Sequence, residues 1–251
     1  MNDIEFNILL PAFIAGLLVL VTHIPFGMKV LERGVIFADL AVAQIAGLGV
    51  IIAALLDLTE RPLLVQLIAS ASALCGAGLL AWIEHRLAEV KEACIGLTFV
   101  LAASGGILLM SRDVHAGEHL KDLLVGQILW VSTNQLTATA LLTAALLALW
   151  QWTKLKNHNL GFYGLFALAV TASVQLVGVY LVFASLIVPA LATYRIKHRR
   201  KLYAFSIGIA GYATGLVLSA WFDLPSGATV VWAMAATGVF AAWLLKAQKI
   251  G

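Results

Sequence analysis

The chain has 251 residues, of which 62 % are apolar and 12 % charged, with a formal net charge of +3. Ordinary soluble domains hold about 45–50 % apolar and about 25 % charged residues. A fold of this size cannot hide such an excess from water, so the composition excludes a soluble enzyme, a nucleic-acid binder and a disordered chain. It leaves an all-α polytopic membrane protein with little mass outside the bilayer.

A spanning helix needs about 20 apolar residues, and the first such run is Phe6–Phe26. Asp3 and Glu5 precede it where a secretory signal would carry Lys or Arg, so the run is expected to be retained. The second run, Val35–Leu56, contains Asp39 about one turn past the loop charges. An acid inside a membrane helix costs about 2.5–3.5 kcal/mol on insertion scales and usually faces a cavity or a partner. Asp39 therefore reads as a ligand or electrostatic guide on a cation path, with an interfacial acid that snorkels or caps the helix as the alternative. Gln44 follows at i+5, about 140° round the helix, and cannot share a ligand shell with Asp39 on a straight helix. An interhelical hydrogen bond accounts for it equally well.

Leu63–Ile83 and Ala93–Ser111 are the next two runs. Ala69, Ala73 and Ala77 form one i, i+4 row, Ser72 and Gly76 a neighbouring one, and Ser104, Gly105 and Gly106 sit in the following run. Such rows let helices approach closely in lipid, which points to a compact bundle. Cys75 and Cys94 lie in these apolar runs, where a free thiol behaves as a small hydrophobe. The loop SRDVHAGEHLKD (111–122) then places His115, Glu118 and His119 in an H-x-x-E-H spacing used by some zinc peptidases. Gly117 inside the motif and the want of a solvated domain argue against catalysis. Imidazole and carboxylate are both ligands for first-row divalent cations, so the loop reads as a local metal-handling site or as a solvated polar loop.

Leu120–Val131 is apolar but short and interrupted by Gly126 and Gln127, which fits a re-entrant or interfacial helix. Ser132–Trp152 is another crossing. Leu160–Tyr194 is too long for one crossing and reads as one kinked helix or two half-helices. Within it, Gly178 and Pro189 are expected to interrupt the helical ladder near 174–190, as in the broken helices of transporters. Gln175 is a polar group near that break; a proline kink without substrate contact is the alternative reading. A basic loop RIKHRRK (195–201), the run Leu202–Phe222, a Pro–Ser–Gly turn in WFDLPSGATVV (221–231) and the run Ala228–Leu245 complete the chain.

Positive charge orients the crossings. If Leu160–Tyr194 crosses twice and the N-terminus faces outward, nine crossings result. Thirteen of the 16 Lys and Arg then lie inside, leaving only Arg61, Arg112 and Lys121 outside. Eight crossings with the N-terminus inside split them 10 to 6. Charge favours nine, and both arrangements place the C-terminus and RIKHRRK in the cytoplasm.

VGVYLVFASLIVPALA (177–192), the basic loop and DLPSGATVV (223–231), taken in that order, resemble the zinc/manganese-type permease family of ABC importers. FADLAVAQIAGLG (37–49) is similar to that family's second-helix motif, and EACIGLTFVLAASGGILL (92–109) to another of its segments. The resemblance covers about Lys29 to Lys246. It implies a single transmembrane permease domain over residues 1–251, multi-pass in a bacterial inner membrane and surrounded by lipid. The chain would itself be no enzyme and bind no nucleic acid. It would pair with a second permease, an identical copy, above two cytoplasmic ATP-binding subunits that carry the ATP. An extracytoplasmic binding protein would deliver the cargo, Zn²⁺ or Mn²⁺ with Fe²⁺ as a third candidate. Movement would be by alternating access, with no permanently bound cofactor. A permease for a metal chelate and a channel-type membrane protein are the alternatives.

Two positions depart from the family pattern. Relatives often place His four residues after the Asp, where this chain has Ala43, so Asp39 carries over as a metal contact but an Asp–His pair does not. Loss of that imidazole should weaken a zinc preference, since oxygen ligands suit harder ions such as Mn²⁺. The loop TKLKNHNLGFYG (153–164) is short and basic where relatives carry a longer acidic and proline-containing stretch. The resemblance makes Lys154, Lys156 and His158, with Arg199 and Arg200 of the second basic loop, the candidates for ATPase coupling.

Overall fold

The computed structural model describes residues 3–58, 60–111, 126, 128–152 and 158–247. In hydrocarbon every backbone N–H and carbonyl must be satisfied within its own segment, which selects helices for a chain this apolar. Among the described residues there are nine α-helices and no strand. They are α1 (Asp3–Arg33), α2 (Ala38–Leu55), α3 (Pro62–Arg86), α4 (Lys91–Leu109), α5 (Thr133–Trp152), α6 (Asn159–Val177), α7 (Val179–Ala192), α8 (Arg200–Phe222) and α9 (Ser226–Ala247). A 3₁₀ turn occupies Ile128–Trp130.

Seven of these, α1 to α4, α6, α8 and α9, are long and apolar enough to cross a bilayer. The 20-residue α5 and the 14-residue α7 fall outside that set. Leu63, Leu108, Leu141, Trp232 and Val239 stand exposed, a surface suited to acyl chains rather than water. The polytopic helical bundle expected from composition is therefore the observed fold, and the chain is a multi-pass membrane protein.

Boundaries differ from the apolar runs in three places. Helix α1 continues past Phe26 to Arg33, with Pro11 and Pro25 inside it. Pro189 does not interrupt the chain either, because α7 runs through it to Ala192. A proline removes only one ladder bond, the one that would reach the Ser185 carbonyl, and α7 continues through that loss to Ala192. The break expected near 174–190 therefore falls at Gly178 alone, with φ 81° and ψ 163°, a conformation open essentially to glycine. Most of Leu120–Val131 lies outside the described residues; its described part is Gly126 and the 3₁₀ turn.

The helices gather into two compact units. One comprises Met1–Arg33, Leu124–Thr143 and Gln175–Gly251. In it α1 packs on α7 and α8, α9 packs on α7 and α8, and the 3₁₀ turn lies against α1. Contacts are close because small residues remove side-chain bulk. The Tyr212 ring lies over Gly16, Leu20 packs against Gly208, and Gly211 and Gly215 of α8 meet Met234 and Val230 of α9. A Cβ on Gly126 would collide with the backbone of Val177 and Gly178, so Gly126 lies directly against the helix break. The other unit comprises Gly34–Leu123 and Ala144–Val174. There α2 packs on α3 and α4. Gly49 meets Ala69 and Ser72, Ile45 lies on Gly76, and Ala69, Ala73 and Ala77 are all buried. The small-residue rows read from the sequence thus line the α2–α3 contact.

Alanine at Gly178 or Gly126 should be strained by about 1–3 kcal/mol, from positive φ and, at Gly126, from collision as well. Thermal unfolding in detergent should show lower midpoints for Gly178→Ala and Gly126→Ala. Gly78→Ala and Gly96→Ala, where a Cβ meets nothing within 4 Å, should match or exceed the parent. Equal midpoints across all four variants would refute the account of the break.

Candidate functional site

The first turn of α2 is built by three devices. Gly34, at φ 65°, follows the last residue of α1 in the left-handed conformation that commonly ends helices. Ala38 N–H donates to the Val35 carbonyl at 3.1 Å, and Ala41 N–H to the Phe37 carbonyl at 3.0 Å. Phe37 sits at the N-cap, and its side chain has no atom to cap with. The cap comes instead from Glu92, in the first turn of α4, whose Oε1 accepts the Phe37 N–H at 3.1 Å. A carboxylate at a helix N-terminus also complements the helix dipole.

Asp39 is the second residue of α2 and is 1 % exposed. Neither carboxylate oxygen has a hydrogen-bond partner among the described residues. It is surrounded along its helix by buried Ala38, Ala41, Val42, Ala43 and Ala46. The side chain therefore neither snorkels to the surface nor caps a helix. A buried carboxylate without donors is costly unless a cation or a proton neutralises it. Among the described residues no three His, Cys, Asp or Glu side chains converge as a metal-holding group.

The other sequence-derived candidates are not brought together with it. Gln44 is half-buried on the same regular helix, so the angular separation from Asp39 stands. Gln175 is exposed and does not serve the buried break at Gly178, because the last turn of α6 points it away from the packed side. His115, Glu118, His119, Lys154 and Lys156 lie outside the described residues. His158 is exposed, and its carbonyl accepts the Phe162 N–H at 2.9 Å to begin α6.

Arg199 and Arg200 are adjacent but used differently. Arg199 is exposed, with φ 54°. The Arg200 side chain is only 18 % exposed. Its Nη2 donates to the Ala190 carbonyl at 3.3 Å, its Nη1 lies 3.9 Å from Glu32 Oε1, and the guanidinium stands 5.9 Å from the Tyr194 ring centroid. Arg200 thus clasps the ends of α1 and α7 to the start of α8, all within one unit. The sequence reading missed Glu92 as the cap of α2, and it missed His23, buried in α1. An imidazole inside an apolar run was a usable signal for the second; the cap had none, since its two partners are 55 residues apart.

Comparison with known proteins places this arrangement. The chain matches the ABC 3 transport family over residues 5–158 and 151–245. It is 25 % identical over 189 residues to a probable iron transport system membrane protein of Haemophilus influenzae, spanning 66 % of this chain and 69 % of that one. Its fold is similar to a solved structure of PsaBC from Streptococcus pneumoniae in complex with Fab, with a TM-score of 0.72 and 22 % identity. That likeness covers 96 % of this chain and 91 % of the other.

Hydrogen bonds to charged groups are worth about 1.5–3 kcal/mol, so Glu92→Ala should speed hydrogen exchange at the Phe37 amide by roughly tenfold or more. Glu92→Gln keeps an acceptor oxygen and should retain most of the protection; unchanged exchange in Glu92→Ala would remove the cap from the account. Arg200→Ala should lower the thermal midpoint in detergent while Arg199→Ala leaves it in place. Equal effects would dissolve the distinction between clasp and free surface.

Proposed function

The chain belongs to the ABC 3 transport family, and from that membership we propose a permease subunit of an ABC importer that moves a divalent metal ion into the cytoplasm. The ion is a first-row cation, Zn²⁺, Mn²⁺ or Fe²⁺. The Haemophilus influenzae relative, a probable iron transport system membrane protein, supports keeping Fe²⁺ in that set. Residues 1–251 act as one permease domain in a bacterial inner membrane. ATP is bound and hydrolysed on a separate cytoplasmic subunit, so this chain catalyses no bond-breaking step. A second copy of the permease and an extracytoplasmic metal-binding protein complete the importer.

The observation that carries the reading is Asp39, a fully buried carboxylate with no partner among the described residues. An unpaired acid buried in the first turn of a membrane helix is maintained against an insertion cost. A cation that arrives beside it recovers that cost, which makes entry favourable. With one carboxylate and no converging cluster, the contact stays weak enough for the ion to leave again, which transport requires as much as capture. Alternating access needs a change of state elsewhere, and only a ligand with different affinity for the two states can drive it. Here that ligand is ATP on the partner. Exposed basic groups of the 195–201 loop, Lys197 and Arg199, offer the surface for that partner, while Arg200 holds the loop to α1 and α7. Lys154, Lys156 and His158 share this cytoplasmic role.

The test is uptake by proteoliposomes holding the permease with its ATPase and binding protein. Asp39→Asn should assemble normally and lower metal uptake by about 100-fold, the rate equivalent of about 2.7 kcal/mol. Wild-type uptake in that variant would take Asp39 out of the mechanism. Uptake of a metal chelate, undiminished by excess free Zn²⁺ or Mn²⁺, would instead show that the cargo is the complexed ion.

A further inference from the structure

His23 lies in α1, in the unit formed with α7, α8 and α9. Gly16, Leu20, His23 and Gly27 are spaced 4, 3 and 4 residues apart, which puts them on one face of the helix. That face is the packed one. Gly16 lies under the Tyr212 ring, Leu20 meets Gly208, and a Cβ on Gly27 would collide with the Leu186 carbonyl. The imidazole is accordingly 0 % exposed.

Its hydrogen-bond contacts gather at one ring nitrogen. Nδ1 stands 3.0 Å from the Val19 carbonyl oxygen and 3.0 Å from the Thr22 hydroxyl, and that hydroxyl donates to the same carbonyl at 3.1 Å. A carbonyl oxygen only accepts, so a hydrogen bond from the ring to Val19 is made by the tautomer with its proton at Nδ1. Nε2 is then a bare lone pair. It is buried, and no described residue donates to it. Two residues further on, Pro25 has no N–H for the Val21 carbonyl, so the same stretch of α1 carries a second acceptor that its own helix does not use.

Packing does not explain this side chain, since leucine or phenylalanine would fill the space without leaving a polar atom unpaired. An unsatisfied buried acceptor costs about 1–3 kcal/mol. Local hydrogen bonding does not explain it either, since that uses Nδ1 alone. The pattern is that of a ligand imidazole. Metal-binding histidines almost always give their second ring N–H to a carbonyl, carboxylate or water, which orients the ring and leaves the other nitrogen for the metal. Ionisable side chains inside a membrane bundle mark substrate and ion pathways.

We propose that His23 Nε2 is a transient nitrogen ligand for the transported divalent cation, anchored through its Nδ1–H to the Val19 carbonyl. This rests on the metal-importer reading and adds a residue to it. Imidazole suits Zn²⁺ better than it suits Mn²⁺, which oxygen ligands accommodate. His23 therefore supplies a softer nitrogen donor, and it raises the preference for Zn²⁺.

The experiment measures Zn²⁺ and Mn²⁺ uptake in parallel by the complete importer in proteoliposomes, for the parent, His23→Leu, His23→Asn and Asp39→Asn. His23→Leu should lower Zn²⁺ uptake by about tenfold and Mn²⁺ uptake far less, so that the Zn²⁺:Mn²⁺ ratio falls by several-fold. His23→Asn keeps a polar group beside Val19 and Thr22, and should show the same change of ratio if the leucine variant fails to assemble. In the Mn²⁺-loaded complex, nitrogen coupling in the electron spin-echo spectrum should disappear in the His23 variant that assembles and persist in His115→Leu and His119→Leu. Equal loss for both metals, or an unchanged ratio, overturns the role of His23 even where Asp39→Asn abolishes uptake. Parent importer that hydrolyses ATP but moves none of Zn²⁺, Mn²⁺ and Fe²⁺ defeats the metal-importer reading, and this inference with it.

Discussion

Hydrocarbon offers a polar group no partner, and each unsatisfied donor or acceptor left in it costs several kcal/mol. The rest of the structure follows from that constraint. It turns apolar runs into helices, because only the helical ladder satisfies a segment's backbone from within. It also makes interruptions conspicuous. The ladder stops at Gly178, and the backbone near Gly126 packs directly on the stop. A break covered in this way is tolerable inside a bundle and would not be tolerable against lipid.

The same constraint decides how helices hold together. Lipid tails are as apolar as leucine, so association depends on close packing rather than on hydrophobic exclusion. In one unit the glycines of α1 and α8 let neighbouring side chains and carbonyls approach; in the other, α2 and α3 meet at Gly49, Ala69 and Gly76. Within these dry contacts His23 in the first unit and Asp39 in the second are fully buried and keep polar atoms without a partner among the described residues. Packing alone would have removed both. Their persistence is the physical ground for the proposal that they take part in cation transfer.

Much of this is visible in the order of residues. Asp39 stands out because a carboxylate inside an apolar run has few structural uses, and Gly178 because glycine inside a helix is a weakness. Ala69, Ala73 and Ala77 announce a helix contact by their spacing alone. Other features mislead. Pro189 looks like a break, yet the loss of one ladder donor does not stop the helix. Gln175 looks like part of the break because it is near in sequence, and it is turned outward by the helix. Arg199 and Arg200 are indistinguishable by residue type; only the position of Glu32 and the end of α7 separates the exposed one from the clasp.

Composition and periodicity determined that this chain is a helical membrane bundle, because solvent compatibility is a property of residue counts and run lengths. They also determined that an acid at position 39 needed an explanation. The tertiary structure alone decided that Asp39 is buried without a donor among the described residues, that Glu92 caps the helix carrying it, and that the His23 contacts gather at Nδ1 and leave Nε2 without a described partner. These are statements about which groups meet across tens of residues. Hydrogen bonding and burial depend on distances in space, which a one-dimensional order does not contain.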